Sequence, residues 1–433
     1  MSRKISNSSP KAETTAESFL RNRILPIAMI LVVLGFAQAW VQTFYLSNPY
    51  IERIGWLARD GEWPDKFGVG IHFFSDYLIM NQFSESSNPW AENNPYPPFS
   101  MAIFKLFTIF PYHFGLALWL LLGAICLLAP VLHATKKFSL SSRILILTLL
   151  VILTAPFVGT IDRGNSIFLL VPLLYFGYIL VEKDRSVIAG ILIGAACAIK
   201  LYPLLIVLFF LIKRKWKVSG VSIVTFVSIS FLSGLLWGNP VDAIRETIAN
   251  ANSYNGLSID GQPMVFSFAG AVNNVVIFLG LGNTDAASLL QNNSRLFGLA
   301  LLATLLLVAM GVGLLETFLL SSTTIQLIST VSFTYTRIWT FIAIPLMILN
   351  HEKLNRHKDK GSSPLKWWWL FVLSTNSLLV VHFFTPMSLG TVIGVIALVM
   401  ILFNYMNPKL ILEEWKSLLP MKLFIKSKET TSK

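Results

Sequence analysis

Apolar runs of close to twenty residues alternate with short polar stretches along most of the chain. The first is ILPIAMILVVLGFAQAWVQTFYL, beginning at Ile24. Runs beyond about 18 apolar residues suggest membrane-spanning helices, and helices satisfy their own backbone hydrogen bonds in lipid. The pattern predicts spans near 24–45, 114–133, 143–160, 165–182, 186–199, 201–212, 218–237, 296–315, 318–335, 338–349, 366–384 and 388–405. The expected fold is an all-α polytopic membrane protein, a bundle of about twelve transmembrane helices. Three places are irregular. Segment 98–110 is too short to span and carries Lys105, so it is expected at the outer interface. Spans 186–199, 201–212 and 338–349 are also short, as helices are where backbone is buried in protein or lines a wet cavity.

Composition strengthens this picture. Of the 433 residues, 54% are hydrophobic and 13% charged, with a mean hydropathy of +0.65. A soluble domain carries about a quarter charged residues, so a soluble enzyme is excluded. The net charge of +12 would suit nucleic acid in a soluble chain. Here the basic residues gather in discrete loops: the N-terminal tail (Arg3, Lys4, Lys11, Arg21, Arg23), KKFSLSSR, EKDR, KRKWK, HEKLNRHKDKGSSPLK and the C-terminal tail. That is the positive-inside pattern, and no nucleic-acid partner is expected. Placing these clusters inside predicts cytoplasmic termini and extracytoplasmic loops at 46–113 and 238–295. The chain reads as a basic tail (1–23), one membrane domain (24–405) and an amphipathic, basic tail (406–433), without a cleavable leader. Cys126 and Cys197 sit in apolar runs and read as small core residues.

This topology brings unusual polar residues to one outer boundary. Asp76 lies in FFSDYLIMNQF within the first outer loop, Asp162 and Arg163 in GTIDRGN, Lys200 in AIKLYP and Arg337 in FTYTRIW. Ionisable groups at membrane level are costly and default to function. Asp76 suits a general base that takes a proton from an attacking hydroxyl; its plain alternative is a solvated or helix-capping acid. Lys200, Arg163 and Arg337 suit the charge of a lipid-linked phosphate. Their plain readings are a snorkelling lysine, an ion pair with neighbouring Asp162, and an interfacial anchor beside Trp339. Gly164-Asn165 suggests a tight turn whose backbone N–H groups could face an anion. His72 lies four residues before Asp76, on the same face if the stretch is helical. The interleaved aromatics Phe73, Phe74, Tyr77, Trp90, Tyr96 and Phe99 suit an interfacial layer or a platform for a sugar ring. Pro97-Pro98 stiffens the connection back to the membrane.

With these stretches in hand, the chain resembles the integral-membrane glycosyltransferases of the C superfamily. Within them it is most similar to the polyprenol-phosphate-mannose-dependent α-mannosyltransferases of glycosyltransferase family 87. The resemblance runs over roughly residues 70–350. It rests on SDYLIMNQF, NPYPPFS, the stretch from DRGNSIFLL through AIKLYPLLIVLFFLIKRKWK, and STVSFTYTRIW. Arg163 stands where the family commonly has Gln, Thr330 where it has Pro, and Tyr335-Thr336-Arg337 where histidine is common. The resemblance implies an inverting transfer of a hexose, mannose first, from a polyprenyl-phosphate donor to a hydroxyl of a glycolipid or glycan acceptor. It places the active site on the extracytoplasmic face of the cell membrane, with no cofactor and no metal. Asp76 would be the base, and Lys200, Arg163 and Arg337 would hold the donor phosphate. His72, Tyr96, Asn165, Tyr202 and Tyr335 would line the substrate. Two other classes remain open: a transporter or flippase of a lipid-linked or anionic solute, and a non-catalytic membrane scaffold. A transporter should place its polar residues at broken helices of repeated halves near the bilayer midplane. No repeat is visible, so the surface-level cluster favours the enzyme.

Overall fold

A computed structural model describes residues 13–41, 74–91, 93–255, 293–328, 334–355, 364–376 and 389–405. The described residues are helical, joined by turns. In chain order the α-helices are α1 (Thr15–Phe19), α2 (Leu25–Val41), α3 (Ser75–Glu85), α4 (Pro98–Phe107), α5 (Tyr112–Ala134) and α6 (Leu140–Leu147). Then come α7 (Ala155–Arg163), α8 (Leu170–Glu182), α9 (Ser186–Ile199), α10 (Leu204–Ile212), α11 (Trp216–Gly234) and α12 (Pro240–Asn255). The remainder are α13 (Ser294–Gly311), α14 (Leu314–Ile328), α15 (Thr340–Leu349), α16 (His351–Asn355), α17 (Pro364–Asn376) and α18 (Leu389–Tyr405).

Each of the twelve segments expected from hydropathy contains a helix. Among the described residues, Thr15–Ala37, Tyr112–Ala134 and Trp216–Trp237 are long and apolar enough to cross a membrane by themselves. The segment expected as a span near 143–160 is a helix pair bent by 64° between Leu140–Ile152 and Ala155–Arg163. Two local causes coincide there. The first half ends in a π-helical stretch, Thr148–Ile152, and Pro156 sits in the first turn of α7 with Thr154 extended before it. Proline cannot donate to the preceding turn, and π-bulges and prolines are the usual sources of sharp kinks.

The outward faces are apolar. Ile223, Val224, Val227, Phe231 and Leu232 are exposed on α11, as are Ile27, Ile30, Val33 and Leu34 on α2. Contiguous apolar surface on this scale marks contact with lipid in a chain of this hydropathy. Inside, α9 and α11 pack against each other along Gly190 and Gly194. A Cβ on Gly190 would meet Val221 at 2.6 Å, and one on Gly194 would meet the Ser222 carbonyl at 2.5 Å. Small residues four apart let helix backbones approach closely in membranes. This contact fixes the axis of α9, and with it the position of Lys200 at its end.

The expected outer loop 46–113 is partly helical. Helix α3 packs on α4, and α4 packs in turn on α9 and α11. Met101 and Phe104 of α4 are fully buried, which seats the short segment 98–110 on the bundle. Pro97 caps α4 and Pro98 occupies its first turn, where a missing N–H costs nothing.

Candidate active site

The site begins with two left-handed residues that face each other. Phe74 (φ 62°) precedes α3, and its N–H donates to the Asp162 carbonyl at 2.6 Å. Gly164 (φ 64°) ends α7. A Cβ on Gly164 would lie 2.8 Å from Cβ of Tyr77, so the two chain segments touch at the one residue without a side chain. The Trp119 indole N–H of α5 donates to the Gly164 carbonyl at 2.7 Å. Tyr77 itself is 1% exposed and packed among Phe104, Phe107, Tyr112 and Trp119. This aromatic block locks the start of α3 to the end of α7.

Asp76 therefore meets the residues flanking Gly164. Arg163 clamps its carboxylate with a fork, Nε to Oδ2 at 3.0 Å and Nη2 to Oδ1 at 2.7 Å. Asn165 Nδ2 donates to Oδ2 as well, and also to the Tyr96 hydroxyl at 3.1 Å. The Asn165 side-chain oxygen accepts from the Ile167 N–H, capping the short helix Ser166–Leu169. Across the site, Lys200 leaves the end of α9 in an extended conformation. Its ammonium sits 3.4 Å from the centroid of the Tyr96 ring, a cation–π contact, and within electrostatic reach of both Asp76 and Arg163. Asp76 thus lies among Arg163, Asn165 and Lys200. The side chains of Asp76 and Arg163 stay 11% and 18% exposed, so the pair lies at an edge that a ligand can reach.

Tyr96 is held from behind. Its carbonyl accepts from the Trp90 indole at 2.9 Å, and its N–H donates to Asn94 Oδ1 at 3.1 Å. Asn250 of α12 donates to the carbonyls of Trp90 and Asn94 at 2.8 and 3.1 Å. The Asn-Pro and Pro-Pro stretch is a braced loop that presents one aromatic ring to Lys200.

Several sequence expectations change. Arg163 pairs with Asp76 rather than with its neighbour Asp162, because α7 ends before the turn and aims the guanidinium at α3. The Gly164 and Asn165 N–H groups donate to Ile161 and Thr160 carbonyls, so that turn offers them to no anion. Asp76 lies within the first turn of α3, after Phe74, and is not a helix cap. Tyr77 and Trp90 are buried and form packing and bracing contacts rather than an interfacial layer. Arg337 belongs to a second polar cluster. It lies in the short helix Thr334–Trp339, which packs along α7, and its Nη1 donates to the Thr375 carbonyl at 2.6 Å. Tyr202 is half-buried against the core just before α10. His72 and the Tyr335 side chain lie outside the described residues. Trp119 and Asn250 were missed: an indole in an apolar helix and an amide on the distant helix α12 carry no local signal of what they touch.

Fold and site together define a helical membrane protein with a buried polar centre where distant helices end. Residues 94–330 match the family model of glycosyltransferase family 87, and the chain belongs to that family. The match takes in Tyr96, Arg163, Asn165, Lys200 and Tyr202; Asp76 lies before it and Arg337 after it. The chain is also similar to the polyprenol-phosphate-mannose-dependent alpha-(1-2)-phosphatidylinositol pentamannoside mannosyltransferase of Mycolicibacterium smegmatis. The two are 26% identical over 306 residues, which cover 68% of each chain. No solved structure matches.

Proposed function

We propose that the protein moves a hexose, mannose first, from a polyprenyl-phosphate donor to a hydroxyl of a lipid- or glycan-bound acceptor. Transfer takes place on the extracytoplasmic face, with inversion and without a metal. The observation that carries this reading is the Asp76 carboxylate, held by Arg163 and Asn165 beside Lys200. Membership of a glycosyltransferase family and the named donor of the relative support it. An ionised carboxylate offers about four lone-pair sites, and the fork and the amide use three. The remaining one is open to an acceptor hydroxyl. As that hydroxyl oxygen attacks the anomeric carbon, its proton passes to Asp76. The bond from the anomeric carbon to the phosphate oxygen breaks, and its electron pair leaves with the polyprenyl phosphate. Lys200, with Arg163 beside it, stabilises that charge, and fixed cations in a site poor in water do this without reorganising. Asn165 and Tyr96 act as positioning residues: one orients the acid, the other holds the lysine.

The test is transfer from a panel of radiolabelled polyprenol-phosphate sugars by the purified protein, with Asp76→Asn and Lys200→Met alongside. Loss of a general base costs about 10²–10⁴-fold in rate. Asp76→Asn should therefore lose turnover by that factor while still binding donor, and Lys200→Met should weaken donor binding. Near-normal turnover by Asp76→Asn, per folded molecule, would remove it as the base. Vectorial movement of a lipid-linked sugar without transfer would replace the enzyme with a transporter.

A further inference from the structure

Helix α12 falls within the expected outer loop 238–295, yet it reaches the site from far along the sequence. It packs on α11 and α4, with Ala243 and Thr247 buried on its inner face and Val241 and Ile248 exposed on its outer face. Asn250, one turn beyond Thr247, gives both hydrogens of its amide to the loop that carries Tyr96. They meet the carbonyls of Trp90 and Asn94, 160 and 156 residues away. That loop turns back on itself through Asn93, in a left-handed conformation at φ 58°. Neither carbonyl accepts from a backbone N–H among the described residues, so without Asn250 both would turn to water or go unpaired. From there the bonds run on to Tyr96. The Trp90 indole donates to the Tyr96 carbonyl, and Asn94 Oδ1 accepts from the Tyr96 N–H. Trp90, Asn94 and Tyr96 are all buried. A chain of direct contacts therefore joins Asn250 to the Lys200 ammonium, which sits 3.4 Å from the Tyr96 ring centroid.

We propose that Asn250 is a positioning residue for the donor phosphate and couples helix α12 to its binding. It acts through the loop. Latched by Asn250, the loop holds the Tyr96 ring against Lys200 and fixes the cation where the phosphate arrives; unlatched, ring and lysine separate. Such coupling is reciprocal. If the latched loop favours the bound phosphate, the bound phosphate favours the latched loop by the same factor, and α12 tightens when the donor lipid arrives. The donor role rests on the transferase reading, whereas the coupling of a bound lipid phosphate to α12 does not.

The experiment uses the full chain in nanodiscs and measures binding of polyprenyl phosphate, with uncharged polyprenol as control, alongside hydrogen exchange in peptides from the Tyr96 loop and from α12. In the unaltered protein polyprenyl phosphate should slow exchange in both segments, and polyprenol in neither. Asn250→Ala keeps a good helix former in α12. It should weaken polyprenyl phosphate binding roughly 2- to 30-fold, the range of the cation–π contact it unseats, and abolish the slowing in α12. In a Tyr96→Leu background the same change should weaken binding no further, which a merely structural role would not produce. Asn252→Ala, exposed on the outer face of α12, is the control and should alter nothing. Unchanged affinity in Asn250→Ala would overturn the role, as would full additivity with Tyr96→Leu. If Asn250→Ala does not fold, exchange in the unaltered protein decides: slowing that stops at the loop and leaves α12 as it was overturns the coupling. Tightening of α12 by polyprenyl phosphate in a protein that transfers no sugar would sink the transferase reading and leave the coupling; transfer with α12 untouched by polyprenyl phosphate would do the reverse.

Discussion

Replacing Gly164 by alanine adds one methyl group at the joint between α3 and α7, and its cost can be worked from two separate strains. The residue has φ 64°, a left-handed conformation that costs an L-residue roughly 1–2 kcal/mol. The new Cβ would also lie 2.8 Å from Cβ of Tyr77. Tyr77 cannot retreat, since Phe104, Phe107, Tyr112 and Trp119 enclose it, and overpacking of such a core costs roughly 1–3 kcal/mol. Together these give about 2–5 kcal/mol. The strain falls between Arg163 and Asn165, the two residues that hold the Asp76 carboxylate, so relaxation must move one of them. A misplacement of about 1 Å at a reacting group can cost roughly 10²-fold in rate. The assay is turnover per folded molecule, together with the thermal midpoint of the detergent-solubilised protein. Gly220→Ala is the matched control, because a Cβ there meets nothing within 4 Å and alanine is the better helix former. Gly164→Ala should lose stability and at least tenfold in turnover, and Gly220→Ala neither. Equal behaviour of the two variants would refute the joint as the element that sets the site.

Two further outcomes test the site and its sidedness. Tyr96→Phe keeps the ring under Lys200 but loses the hydroxyl that accepts from Asn165, whereas Tyr96→Leu loses both; a cation–π contact is worth about 0.5–2 kcal/mol. Phe should therefore lower turnover with donor KM unchanged and Leu should also raise donor KM, and a rise in KM for Phe equal to that for Leu would contradict the division. Ser86 is exposed at the end of α3, and Ser86→Cys should react with a membrane-impermeant thiol reagent on intact cells; labelling only after lysis would reverse the topology.

The sequence by itself determined the class of the molecule and placed its long apolar helices, but not the helices α3, α4 and α12 inside the expected outer loops. Long apolar runs can only be helices in lipid, and breaks such as Lys200–Pro203 and Gly164-Asn165 are written in residues that end helices locally. It also named Asp76, Arg163, Asn165, Tyr96 and Lys200, because charged and amide groups are conspicuous in so apolar a chain. Which of them meet was a tertiary matter. Arg163 had an acid beside it in sequence, and only the approach of α3 to the end of α7 turned the guanidinium to Asp76, 87 residues away. Arg337 is turned to the Thr375 carbonyl of α17, 38 residues away, by helix packing in the same way. Hydropathy records how much a residue prefers lipid or water, and local propensity how it bends the chain. Neither records which helix ends share a point in space, since that is set by side-chain volumes, as at Gly190, Gly194 and Gly164, summed over the whole bundle.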